Sequence, residues 1–368
     1  MKNEIKRIII SIGMMLSGII FILGVNNVDT NAALEKGDRQ QELVTEKTMK
    51  AEKTVETANT IKMASTGKVV KRKGWYTAKS GRKYYYKSDG TPVKNRSYRI
   101  NGNLYLFSKS GILCTNPGFK TLNGKKYYLK KNGTLAVGYL KIGDDYYYFS
   151  KTGVMYRDRW AYARGYKFYF GKDGKRLTDV DEVLGKRSSY YITVNKNTNI
   201  VTVYAQDGNK GYTIPVKSFV CSTGDSTPLG TFYTPYRYRW LTLVGPCWGQ
   251  WCTQIYGNYL FHSVCYNSWN DNNSLDVAEY NKLGTTCSHG CIRLKAGDAK
   301  WIYDNCALNT KVTIFSSNEK GPFPKPTVEQ LTEGHTWDPT DPDMKYKCKQ
   351  SGCNHYGKLV PCDMQHLY

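Results

Sequence analysis

Acidic residues are scarce: Asp and Glu number 30 against 53 Lys and Arg, a formal net charge of +23. That imbalance either favours polyanionic partners (nucleic acid, acidic lipid, anionic envelope polymer) or keeps a Tyr-rich surface soluble. No recognisable nucleic-acid motif occurs, so nucleic acid drops out. Beyond Val25 there is no apolar stretch long enough to span a bilayer, and membrane contact is confined to the N-terminal segment. Aromatics are missing between Leu34 and about Val70. An open-site pattern for a catalytic metal is also missing, which leaves catalysis to side chains alone.

What is present divides the 368 residues into two or three domains with connecting segments. Lys2, Lys6 and Arg7 precede an apolar run from Ile8 to Val25, followed by Ala32-Ala33. A basic start, an apolar core and small residues mark an export signal, while the length of the run approaches the ~20 residues of a membrane helix. Residues 1–32 therefore read as a signal peptide or an uncleaved anchor, and both place the rest of the chain outside the cytoplasm. Residues 33–72 are polar and read as a flexible linker.

Over residues 73–181 the composition turns to Tyr, Gly and Lys, and it repeats. Gly81, Gly102, Gly124, Gly143 and Gly165 each open a short aromatic run that ends near a second glycine, with spacings by subtraction of 21, 22, 19 and 22 residues. Such a unit is a hairpin too small to bury its own apolar face, so the units are expected to stack as a solenoid. An aromatic precedes each unit: Trp75, Tyr98, Phe119, Tyr139 and Trp160. The pattern resembles the choline-binding or cell-wall-binding repeats of Gram-positive surface proteins. That resemblance implies rings that cage a quaternary ammonium, and cell-wall polymer as partner. Only Trp75 and Trp160 keep the tryptophan of that pattern, and the competing reading is that these rings are solenoid core.

Residues 188–317 alternate as short strands punctuated by Gly and Pro, which predicts a mainly β sandwich or barrel. Within it lies Ser288-His289-Gly290-Cys291-Ile292-Arg293, with Phe261-His262-Ser263 upstream. A cysteine nucleophile needs a neighbour that lowers its pKa, a base and backbone N–H donors for an oxyanion, and these segments contain candidates for all three. The bland alternative is a buried thiol beside two ordinary histidines. The histidine precedes the cysteine, which is the reverse of the papain order. A sortase shares the order His, Cys, Arg, but the second histidine beside the nucleophile fits it poorly.

Together with Cys221-Ser222-Thr223-Gly224 and Thr227-Pro228-Leu229-Gly230-Thr231-Phe232, these motifs resemble an L,D-transpeptidase catalytic domain of the YkuD-like family. The resemblance implies a β-sandwich-like domain whose substrates are peptidoglycan stem peptides, with no cofactor for catalysis. It implies that Cys291 attacks the carbonyl joining diaminopimelate to D-Ala, that His262 is the base and that the Ser263 carbonyl orients its ring. His289, Gly290 and the Cys291 amide would line the oxyanion site, and Arg293 would support the loop or face a carboxylate. A second stem's amine would resolve the thioester to a 3→3 cross-link; water or another amine would give carboxypeptidase activity or protein attachment. Ser288 and, from the aromatic-dense lid region, Tyr236 and Trp251 are the expected substrate contacts. The rival from another class is a non-catalytic wall-binding surface protein. Asp276 and Glu279, on a short helix before the motif, read as solvated charges.

Seven cysteines fall in this domain; with Cys291 set aside, six remain, enough for three bridges whose pairing spacing does not give. The segment 318–368 forms a small Cys/His-rich tail. Cys348, Cys353, Cys362 and His366 have spacing compatible with structural zinc, and a disulfide or disorder competes with it.

Overall fold

In the computed structural model, described for residues 71–328, 330–332, 335–344 and 346–347, five hairpins come first among the described residues. They pair β1 (Gly74–Thr77) with β2 (Lys83–Tyr86), β3 (Arg96–Ile100) with β4 (Asn103–Phe107), and β5 (Gly118–Leu122) with β6 (Lys125–Leu129). The last two pair β7 (Gly138–Ile142) with β8 (Asp145–Phe149), and β9 (Arg159–Ala163) with β10 (Tyr166–Phe170). The hairpin turns explain the glycine period. Asn101-Gly102 and Asn123-Gly124 both hold positive φ at the two turn residues, the geometry that matches strand twist and that Asn-Gly tolerates best. Each hairpin is followed by a short return that bridges its own second strand, such as Phe107 to Leu113 and Leu129 to Leu135.

That return also bonds the preceding unit. Leu113 N donates to Lys83 O, Leu135 N to Leu104 O, Met155 N to Lys126 O and Arg176 N to Tyr146 O, at 2.7–2.8 Å. Phe107, Leu129, Phe149 and Phe170, each ending a second strand, are buried in the seams this creates. A lone hairpin is marginal in water, and the stacking supplies the missing apolar cover.

A short helix, α1 (Asp181–Leu184), leads into two sheets. One runs β13 (Ile214–Val220), β12 (Ile200–Ala205), β11 (Tyr190–Asn195), β19 (Lys311–Phe315), β14 (Gly230–Tyr233) in spatial order, with β11 and β19 parallel. The other runs β15 (Arg237–Thr242), β16 (Trp248–Tyr256), β17 (Tyr259–Ser263), β18 (Ile292–Leu294). Helices α2 (Val277–Tyr280) and α3 (Ala296–Asn305) complete the unit. Ile192, Val203, Phe261, Ile292, Ala299 and Ile302 share one buried core drawn from both sheets and α3, so the mainly β sandwich expectation holds.

The repeats and the sheets share surfaces. Trp160, Tyr169 and Leu177 pack on the sandwich core, Lys167 N donates to Thr213 O at 2.9 Å, and Lys167 Nζ meets Asp207 at 2.6 Å. The described residues between Phe323 and Met344 lie across both parts as a strap. Phe323 enters the core of the fifth hairpin, Leu331 packs with Trp240 and Tyr266, and Asp338 accepts from Ala296 N at 2.7 Å. The signal or anchor segment 1–32, the linker to residue 70, and Cys348, Cys353, Cys362 and His366 of the zinc reading lie outside the described residues.

Candidate active site

Strands β17 and β18 run parallel, with Phe261 opposite Ile292, His262 opposite Arg293 and Ser263 opposite Leu294. Cys291 immediately precedes β18, so a long excursion through α2 returns the cysteine motif beside the strand that carries the histidine. His262 is buried, and its Nδ1 lies 2.5 Å from Ser263 O. A carbonyl only accepts, so Nδ1 carries the proton and Nε2 keeps its lone pair. Burial, with the Arg293 guanidinium adding to it against the Ser263 bond, lowers the imidazole to about 4. The Cys291 thiol donates to Asn258 O at 3.4 Å; burial raises its pKa, while a backbone bond at Leu260 and Arg293 pull the other way. At neutral pH both the Cys291 thiol and the His262 imidazole are therefore uncharged.

The motif loop is cradled by the Ser222–Thr227 segment. Cys287 N and Ser288 N both donate to Thr223 O, Ser222 and Arg293 exchange two backbone bonds at 2.9 Å, and Thr227 Oγ1 donates to Gly290 O at 2.8 Å. Ser226 Oγ donates to His289 O. Gly224 is required here, because a Cβ would overlap Ser288 O and Gly290 N. Gly290 has φ +133 and faces the Tyr259 ring, so it too excludes a side chain.

Several expected roles change on this geometry. Ser288 Oγ, expected at substrate, accepts from Gly290 N at 3.0 Å and donates to Cys291 O at 2.6 Å, so it braces the loop. The same bond occupies the Gly290 N–H that was expected to serve an oxyanion. Arg293 is buried against Glu279, which also holds Lys282 at 2.5 Å; Glu279 is thus an ion-pair partner and not a solvated charge. Asp276 likewise accepts from Glu279 N at 3.0 Å and caps α2. Trp251 was expected at substrate; it is 8% exposed, with Tyr303 at its edge and the Arg239 guanidinium 3.6 Å from its ring centroid. Tyr236 stays on the surface, and His289 is exposed at the loop tip. Asn258 and Ser226 were not singled out by sequence reading, Thr227 entered only as part of a motif and Glu279 only as a solvated charge, since each acts through a contact distant along the chain.

The model of the L,D-transpeptidase catalytic domain family, YkuD, matches residues 189–314. This segment is therefore similar to the catalytic domain of that family. The family model described as "Putative cell wall binding repeat" matches residues 118–135 and 137–155, within the hairpin array. The chain is 37% identical over 132 residues to "Putative L,D-transpeptidase YciB" of Bacillus subtilis, covering 34% of this chain and 66% of that protein, just under two thirds of its length. It is 30% identical over 118 residues to "Glucosyltransferase-S" of Streptococcus mutans, covering 31% of this chain and 8% of that protein. Among solved structures, an L,D-transpeptidase from Mycobacterium tuberculosis matches at 16% identity and TM-score 0.28, covering 35% of this chain and 58% of that one. Choline binding protein F from Streptococcus pneumoniae matches at 24% identity and TM-score 0.25, covering 38% and 41%.

Proposed function

We propose that the chain is an extracytoplasmic, wall-associated L,D-transpeptidase that forms 3→3 cross-links through a thioester on Cys291. The observation that carries this is the His262 Nδ1 bond to Ser263 O, which leaves the Nε2 lone pair free on the strand beside the one that Cys291 precedes. The thiol leaves Asn258 O, gives its proton to Nε2 and attacks the carbonyl that precedes the terminal D-Ala. The oxyanion is met by the Cys291 N–H; the Gly290 N–H contributes only if its bond to Ser288 Oγ opens. His262 then returns the proton to the departing D-Ala amine, and the amine of a second stem attacks the thioester to restore the thiol. Because burial opposes both a thiolate and an imidazolium, proton transfer accompanies attack instead of preceding it. The chemistry needs only side chains of this chain and no cofactor.

The hairpin array would hold the enzyme on cell-wall polymer, where its substrate is concentrated. The test incubates the purified full chain with tetrapeptide stems and identifies products by mass spectrometry. Cross-linked dimer with released D-Ala is expected, and Cys291→Ala should lower it at least about a thousandfold. Tripeptide without dimer would replace transpeptidation by hydrolysis, and unchanged D-Ala release by Cys291→Ala would remove Cys291 from the mechanism.

A further inference from the structure

The described cysteines are all free thiols in the structure, and two of them nearly touch. Cys247 closes the tight turn between β15 and β16, where Leu243 N donates to Cys247 O and Cys247 N to Gly245 O, both at 2.9 Å. Cys265 follows β17. The adjoining residues Trp248 and Tyr266 exchange two backbone hydrogen bonds at 3.0 and 2.8 Å, and this pairing brings the two Sγ atoms to 2.8 Å. Cys247 is half-buried and Cys265 is 4% exposed, so one sulfur can be reached from solvent and the other stands behind it. That is the layout of an attacking thiol and its resolving partner. The sulfur–sulfur contact with Cys265, with the Arg293 guanidinium nearby, lowers the Cys247 thiol; the same contact and burial raise Cys265. Cys291 is engaged elsewhere, at Asn258 O.

We propose that Cys247 and Cys265 form an intramolecular disulfide, an oxidation site separate from the Cys291 nucleophile. The oxidant is a low-molecular-weight disulfide. The Cys247 thiolate attacks one of its sulfurs, forming a mixed disulfide and expelling one thiolate. Cys265 then attacks the Cys247 sulfur, its proton passing to the second departing thiolate. Two protein thiols are oxidised and the reagent disulfide is reduced to two thiols. The bridge ties the 243–247 turn to the segment just after Ser263, whose carbonyl holds His262. That turn already lies near the base, since the space beside Gly249 is shared by Leu243 and the His262 ring. The proposal does not depend on the transpeptidase reading, because its readouts are covalent and thermal.

The full chain is treated with oxidised glutathione, its remaining thiols are alkylated, and chymotryptic peptides are analysed by mass spectrometry. Chymotrypsin is chosen because no Lys or Arg lies between Trp240 and Lys282. A linked peptide pair containing Cys247 and Cys265, lost on reduction, is expected, with Cys291 alkylated or as a separable glutathione adduct. Reduction should also lower Tm by about 5–10 °C. In Cys247→Ser, whose site is half-exposed and tolerates the exchange, that Tm difference should vanish. Both cysteines remaining alkylatable, pairing of either with another cysteine, or an undiminished Tm difference in Cys247→Ser would each overturn the assignment.

Discussion

His262 is an imidazole whose protonation is set by burial. Its charged form is penalised by desolvation and by the Arg293 guanidinium more than the Ser263 carbonyl compensates, which places it at about 4. In the proposed mechanism it must be uncharged to accept the thiol proton. The acid limb of kcat/KM in the free enzyme is therefore expected to fall below about pH 4, not near the ordinary histidine value of about 6.5. A pH profile of D-Ala release measures this, and a midpoint near 6.5 would show that His262 is not the titrating base. The Arg293–Glu279 pair is the second residue-scale test. Arg293 is buried, so Glu279→Ala strands a guanidinium in the interior and should cost about 2–4 kcal/mol by urea denaturation. A loss under about 0.5 kcal/mol would return Glu279 to the solvated charge its sequence suggested. The cysteine motif was legible because its residue types are unusual together. The bracing of Ser288 and the occupied Gly290 N–H were not, because they depend on how Ser226 and Thr227 hold the loop from sixty-three positions away.

At the scale of elements, the hairpins were the most legible feature, since a glycine period and Asn-Gly turns are local signals. The parallel pairing of β17 with β18 was not legible. Nothing within either strand states that the 28 residues between Ser263 and Ile292 return to the same sheet. The strap was missed for a related reason: its prolines and polar residues read as a tail, yet its contacts are specific. The α3 helix shows the consequence. Its N-cap position is Lys295, whose side chain caps nothing, and the acceptor comes from the strap instead. Asp338 Oδ2 takes the Ala296 N–H at 2.7 Å and Oδ1 takes Thr340 N at 2.8 Å, both fully buried, while Thr340 Oγ1 takes Gly297 N at 2.9 Å. Asp338→Ala should lower stability by about 1–3 kcal/mol, since it orphans buried donors at a helix start. Asp338→Asn, which keeps an acceptor, should lose less. Equal and negligible losses in urea melts of the two variants would mean that the strap merely rests on α3.

Across the whole molecule, the hairpin array divides its rings between two tasks. Near the sandwich the rings are already occupied. Tyr139 is stacked on Tyr146 at 5.1 Å and on Phe168 at 5.7 Å, and its hydroxyl accepts from Arg176 at 2.7 Å. The Arg176 guanidinium also sits 4.5 Å from the Tyr146 ring centroid and 5.2 Å from that of Phe323, and it donates to Pro322 O at 2.7 Å. A cation of the protein itself thus fills this aromatic site and joins the array to the strap. Trp160 packs on Tyr169 and the sandwich core, so it too is committed to docking. Tyr98 is half-buried against Tyr85. The rings left open are Trp75, 44% exposed with the Tyr85 and Tyr105 rings each 5.2 Å away, and Phe119, 45% exposed between Tyr128 and Tyr147. If wall polymer is held by cation–π contact, these two carry it. Trp75→Ala and Phe119→Ala should each weaken sedimentation of the full chain with purified cell wall by about 2- to 30-fold, from ~0.5–2 kcal/mol per ring. Tyr139→Phe, which keeps the stacked ring, should leave sedimentation unchanged. A stronger effect at Tyr139 than at Trp75, or binding abolished by salt alone in all variants, would assign retention to the +23 charge instead of the rings.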